Sequence, residues 1–163
     1  MASISGGDKL EAKLRELAAK VSRPATLRVG FLENARYPDG TPVAMIAAIH
    51  NWGAPSRGIP PRPFFSNMIK AKKGEWPAAI AEQLRVADWD AAVALDVVGA
   101  AIAGQLRESV IETNSPPLKD ATIVRKGGTR GMKYDPKNRA TFPAKPLIDT
   151  GWMYENIDHE VKA

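Results

Sequence analysis

Apolar residues recur along this chain in two rhythms, and each predicts a different element. Leu10, Leu14, Leu17 and Val21 are spaced by four, three and four, which places them on one stripe of a helix over 8–21. Asp8 can cap that helix, with Glu11 three residues on as in a capping box. Leu27, Val29 and Phe31 alternate with Thr26, Arg28 and Gly30, the period of a strand over 25–32. Tyr37-Pro38-Asp39-Gly40 then predicts a turn, because proline presets φ and glycine accepts positive φ. Thr41 as N-cap and Pro42 at the first helical position predict a short helix to about Trp52, stopped by Gly53.

Residues 54–63 hold four prolines, each biasing its predecessor to extended geometry, so a polyproline-like path is expected and a helix is not. Helices are predicted over 65–73 and 76–86, with the break near Gly74-Glu75-Trp76-Pro77. The longest is expected over about 89–113, capped by Asp88, with Val93, Leu95, Val97, Val98, Ile102, Leu106, Val110 and Ile111 as its apolar positions. Its run Gly99-Ala100-Ala101-Ile102-Ala103-Gly104 permits a close approach of another element. Residues 115–146 carry few large apolar side chains and read as an extended arm. Ile157, His159 and Val161 alternate as a closing strand would, with His159 in an outer position. The fold expected is α+β: one domain over 1–163, in which a small mixed β-sheet packs against several helices and a long arm precedes a C-terminal strand.

Composition narrows the chemistry. The 163 residues include no cysteine and two histidines, which excludes disulfides and thiolate chemistry and leaves no material for a multi-histidine metal site. No apolar run is long enough to span a membrane, and the first residues do not read as a signal peptide, so a cytosol-like compartment is expected. The net charge of +5 is uneven. Lys119, Arg125, Lys126, Arg130, Lys133, Lys137, Arg139 and Lys145 face only Asp120 and Asp135 within 115–146, so this stretch is +6 and the remainder is −1. Such a segment suits a polyanion, nucleic acid or an acidic protein face, or it is simply a solvated loop.

Catalytic constellations are missing. Leu147-Ile148-Asp149-Thr150-Gly151 mimics the aspartic-protease triplet, but that chemistry needs a second aspartate and a long β-rich continuation, and few residues follow. The expected role of Asp149 is to cap a turn or a short helix. No phosphate-binding glycine loop or nucleophile elbow occurs, and no cofactor or metal is expected. The four tryptophans are expected in core and interface packing.

Three ordered blocks carry a resemblance. The first is Val29-Gly30-Phe31-Leu32 with Tyr37-Pro38-Asp39-Gly40-Thr41-Pro42-Val43-Ala44. The second is Asn51-Trp52-Gly53 with Gly58-Ile59-Pro60-Pro61-Arg62-Pro63-Phe64-Phe65. The third is Pro146-Leu147-Ile148-Asp149-Thr150-Gly151 with Tyr154, Asn156-Ile157 and Glu160-Val161. Together they resemble a family of tailed-bacteriophage morphogenesis proteins, the neck or tail completion components, over about residues 25–163. The sequence departs from that pattern at Asn51 and Trp52, where an acidic residue and a phenylalanine are usual, and residues 128–144 read as an insertion.

The resemblance implies a non-enzymatic virion protein, assembled in the host cytoplasm, that forms a ring, commonly hexameric, at the head-proximal end of the tail. Its implied partners are further copies of itself, adjacent neck proteins, the tail terminator or tail tube, and DNA in the channel. Ile59, Pro60, Pro61, Arg62, Pro63, Phe64 and Phe65 are then the expected docking segment. The stiffness of its prolines lowers the entropy lost on ordering. Within it, Arg62 equally suits a local ion pair, and Phe64 and Phe65 suit core burial. The eight basic residues of 119–145 are the expected contacts to partner or DNA. The alternative is a protein that binds DNA through that basic segment without reading sequence.

Overall fold

The computed structural model describes residues 7–21, 25–125 and 145–162. In order the elements are helix α1 (Gly7–Val21), strand β1 (Thr26–Gly30), helices α2 (Val43–Trp52), α3 (Phe64–Lys72), α4 (Trp76–Val86), α5 (Ala91–Glu112), α6 (Asp120–Arg125) and α7 (Trp152–Glu155), and strand β2 (Asp158–Lys162). The class is α+β. Among the described residues the sheet is smaller than expected and is not mixed: β1 and β2 pair antiparallel, with Leu27 opposite Val161 and Val29 opposite His159.

Helix α5 is the centre of the molecule and touches α3, α4 and both strands. Val98, Ile102, Leu106 and Val110 recur every four residues and form its buried stripe. Ala94, Gly99 and Ala103 are buried beside them, so small residues flank the large ones where the backbone must come close. At Gly99 the approach is closest: a Cβ there would lie 2.5 Å from His159 Cδ2 and 2.6 Å from Leu27 Cδ1. Gly104 has open space around it and makes no such contact. The sheet therefore lies directly on α5, and His159 is turned onto that helix rather than outward. Its Nε2 is 3.1 Å from Asp96 Oδ1. The core continues through Val43, Ala47, Phe64, Met68, Leu147, Met153 and Ile157. Arg107 ties α5 to the β2 end by donating to the carbonyl of Ile157.

Several boundaries move for identifiable reasons. Asp88 does not cap α5. It sits at φ 48 immediately after α4, where Trp89 N–H donates to Leu84 O at 2.8 Å, the six-to-one bond of a Schellman-type stop. An aspartate takes the left-handed position usually filled by glycine. Asp90 is the cap, its Oδ1 accepting from Ala92 N at 3.0 Å and Val93 N at 3.2 Å. At α2, Pro42 occupies the cap position and Thr41 provides no side-chain cap. The preceding turn is as expected: Gly40 has φ 83 and donates to Tyr37 O at 2.9 Å. Residues 55–57 form one 3-10 turn within the proline-rich segment. The arm over 115–146 is not extended throughout. Lys119 and its neighbours lead into α6, and Leu118 and Ile123 are buried.

Candidate functional site

The second sequence block folds into one interlocked corner between α2 and α3. The chain leaves α2 at Gly53, whose φ of 78 turns it back on itself. Ala54 and Ile59 then exchange backbone hydrogen bonds of 2.9 and 3.1 Å around the 3-10 turn. Only glycine fits at position 53, because a Cβ would stand 2.8 Å from Pro61 N and 2.9 Å from Ile59 O. The returning strand of prolines runs beside the end of α2, and Arg62 N–H donates to His50 O at 2.7 Å, satisfying one of the free carbonyls of the helix end.

Asn51 completes the corner. It is 3% exposed although polar. Its Oδ1 accepts from Phe65 N at 3.1 Å and Ser66 N at 3.2 Å, and its Nδ2 donates to Ser66 Oγ at 2.8 Å. Pro63 precedes α3 and supplies no side-chain cap. The N-terminus of α3 is thus capped from a different helix, fourteen residues upstream in the chain. Ser109 Oγ, on α5, donates to Phe64 O at 2.7 Å and fixes the same turn from the other side.

The expected docking segment divides. Pro60 and Pro61 are exposed, and Ile59, Pro63 and Phe65 are half-buried. Phe64 is fully buried and packs edge-on against Phe31 and Phe65, so it belongs to the core and not to a contact surface. Arg62 is 5% exposed and forms no ion pair among the described residues. Instead Nε donates to the carbonyl of Pro116 at 3.0 Å, which fastens the stretch after α5 to this corner. Burial pushes the guanidinium pKa down from its usual value.

Beside the corner lies a cleft of about 940 Å³. Arg62 is on its wall, with Tyr37, Ile59, Leu118, Leu147 and Trp152. Tyr37 stacks on Trp152 with ring centroids 6.4 Å apart, and Trp152 Nε1 donates to Arg36 O at 2.9 Å. The Tyr37 hydroxyl pKa is raised by burial first, then by the carboxylates of Asp149 and Asp39. Asp149 is exposed at the cleft. Thr150, rather than Asp149, meets α7, its Oγ1 accepting from Trp152 N at 3.3 Å. The first, second and third sequence blocks all contribute to this cleft.

Of the basic residues, Lys119 is exposed on the cleft, Lys145 is half-buried and Arg125 closes α6. Lys126, Arg130, Lys133, Lys137 and Arg139 lie outside the described residues. No group of three or more candidate metal ligands occurs among the described residues, and no described helix is long and apolar enough to cross a membrane. Sequence reasoning missed two features here, the cap from Asn51 and the burial of Arg62. Nothing local in the sequence marked the first, because the backbone groups that Asn51 accepts from lie fourteen and fifteen residues on.

No protein-family model matches the chain, and neither a curated protein nor a solved structure matches it.

Proposed function

We propose that this chain is a structural component of a phage particle, forming a ring at the head-proximal end of the tail and joining tail to head connector around the DNA channel. The observation that carries the reading is apolar surface that a lone chain leaves bare on different elements. Leu10 and Leu14 are exposed on α1, Val86 and Trp89 flank the turn between α4 and α5, Val93 and Val97 follow on α5, and Trp52 is 72% exposed on α2. A ring built from head-to-tail contacts needs two unlike surfaces on every subunit, and apolar patches on separate elements can supply them. The resemblance of the three blocks to neck and tail completion proteins supports the particle context, and those blocks converge on one cleft.

The test is native mass spectrometry and electron microscopy of the purified chain, together with peptide mapping of purified virions. The expected result is a closed ring whose formation is lost when Val93 and Val97 are replaced by glutamate, and peptides of the chain in mature particles. A stable monomer absent from virions overturns the reading. Affinity for free duplex that falls steeply with salt, and falls again when Lys126, Arg130, Lys133 and Lys137 are neutralised, would instead favour a DNA-binding role.

A further inference from the structure

We propose that the cleft beside Arg62 is a recognition site for a carboxylate side chain, presented by an acidic-apolar peptide segment of another polypeptide. Arginine carries five N–H donors, and the bond from Nε to Pro116 O engages one of them. The two terminal nitrogens keep a planar fork suited to the two oxygens of a carboxylate. No carboxylate of the described residues pairs with this guanidinium, although the residue as a whole is 5% exposed; its terminal nitrogens are not fully enclosed. A buried cation without a counter-charge is costly, and an anion arriving from outside removes that cost.

The surroundings select the anion. The walls are largely apolar, from Ile46, Ile59, Leu118, Leu147, Tyr37 and Trp152, and suit the side chains on either side of a glutamate or aspartate. Two further carboxylates, Asp39 and Asp149, lie on the same cleft, together with Lys119. Asp39 is already engaged by Thr41 N–H at 2.9 Å, which helps hold its pKa below the usual carboxylate range. A closely spaced polyphosphate would bring several charges against these two negative groups, whereas a single carboxylate brings one and is repelled less. An acidic peptide is therefore favoured over nucleic acid. This site does not depend on the ring reading, and the failure of either leaves the other standing.

The experiment uses the full chain with isotope-labelled arginine. The side-chain N–H signals of Arg62, assigned with Arg62→Lys, are followed while blocked Leu-Glu-Leu, blocked Leu-Gln-Leu, inorganic phosphate and a short duplex DNA are added separately. The expected result is a saturable shift with the glutamate peptide, at a Kd on the order of 1 mM or tighter. The glutamine peptide should bind at least roughly tenfold more weakly, as should Arg62→Lys, detected on the peptide signals. Asp149→Asn, which leaves Arg62 in place, should tighten glutamate binding severalfold while the glutamine peptide is unaffected. A purely structural Arg62 would move none of these. Equal binding of both peptides, no Arg62 shift up to about 10 mM peptide, or a shift with duplex or phosphate in place of the glutamate peptide would each overturn the proposal.

Discussion

Replacing Asn51 by alanine removes a cap that the local sequence of α3 cannot replace. Two backbone donors, Phe65 N–H and Ser66 N–H, lose their shared acceptor, and Ser66 Oγ loses its donor. Loss of a helix cap costs about 0.5–2 kcal/mol, and each buried donor left unsatisfied about 1–3 kcal/mol. Water can reach the exposed Ser66 side more readily than the rest, so the terms do not simply add. An overall loss of about 3 kcal/mol is expected, which for a domain of this size lowers Tm by roughly 6–12 °C. Asn51→Asp is the informative companion. It keeps the acceptor for both N–H groups, places negative charge at a helix N-terminus and can accept from Ser66 Oγ, so it should remain within about 1 kcal/mol of the parent. Asn51→Leu keeps the branching and heavy-atom count of the side chain, deletes the acceptor, adds bulk and should behave like alanine or worse. Urea unfolding followed by far-UV circular dichroism measures all three. If alanine and leucine shift stability by less than about 1 kcal/mol, or if aspartate is as damaging as leucine, the capping argument is wrong.

Two glycines of α5 should respond in opposite directions. Gly99→Ala forces a methyl into His159 and Leu27 and should cost about 1–3 kcal/mol, whereas Gly104→Ala, in open space, should gain about 0.5–1 kcal/mol, both read from thermal melts. Gly53→Ala meets backbone atoms at both Pro61 and Ile59 at a positive φ and should cost more than about 3 kcal/mol or abolish soluble expression. Lys20 Nζ and Asp88 Oδ2, 2.6 Å apart, hold α1 to the turn after α4. Lys20 lowers the Asp88 pKa, so that contribution is present above the unfolded aspartate value of about 4 and lost as pH falls through the lower folded value. The Lys20 pKa is raised by Asp88 and then Glu16, so its contribution is present below about 10.4 and lost as pH rises through the higher folded value. Hydrogen exchange of α1 amides should show protection relative to the rest of the chain that falls in acid, in high salt and in Asp88→Asn. Relative protection that stays unchanged as pH falls from about 7 through the lowered folded value of Asp88 would discount the pair.

Much of the local structure was legible because its causes are local. The alternation that makes β1, the Tyr37-Pro38-Asp39-Gly40 turn and the stop at Gly53 each follow from a few adjacent residues, and all three appear as expected. The close approach at Gly99 was legible as a possibility, but Gly104 looked equivalent and is not, because only the partner element decides which small residue is used. Asp88 was the expected cap of α5, and Asp90 holds that place two residues on. The outcome follows from Asp88 tolerating a left-handed backbone and pairing with Lys20. Residues 115–125 were read as part of an extended arm because large apolar side chains are few there, and the burial of Leu118 and Ile123 depends on surfaces contributed from elsewhere. In the candidate site, the proline and glycine pattern marked the corner between α2 and α3. It could not reveal that Asn51 and Arg62 turn inward, since polar residues are expected outside and only their distant partners, Ser66 and Pro116, make burial tolerable.

The two strands belong to opposite ends of the described chain, with Arg28 and Glu160 paired across 132 residues. During synthesis β1 therefore emerges well before β2 and stays without this strand partner until β2 has left the ribosome. Throughout that interval the face of α5 around Gly99 lacks half of its cover. A frameshift or nonsense change ahead of Val161 would freeze the molecule in this open condition, with a bare strand edge beside an apolar helix, and its first consequence in the cell would be aggregation rather than a soluble, weakened protein.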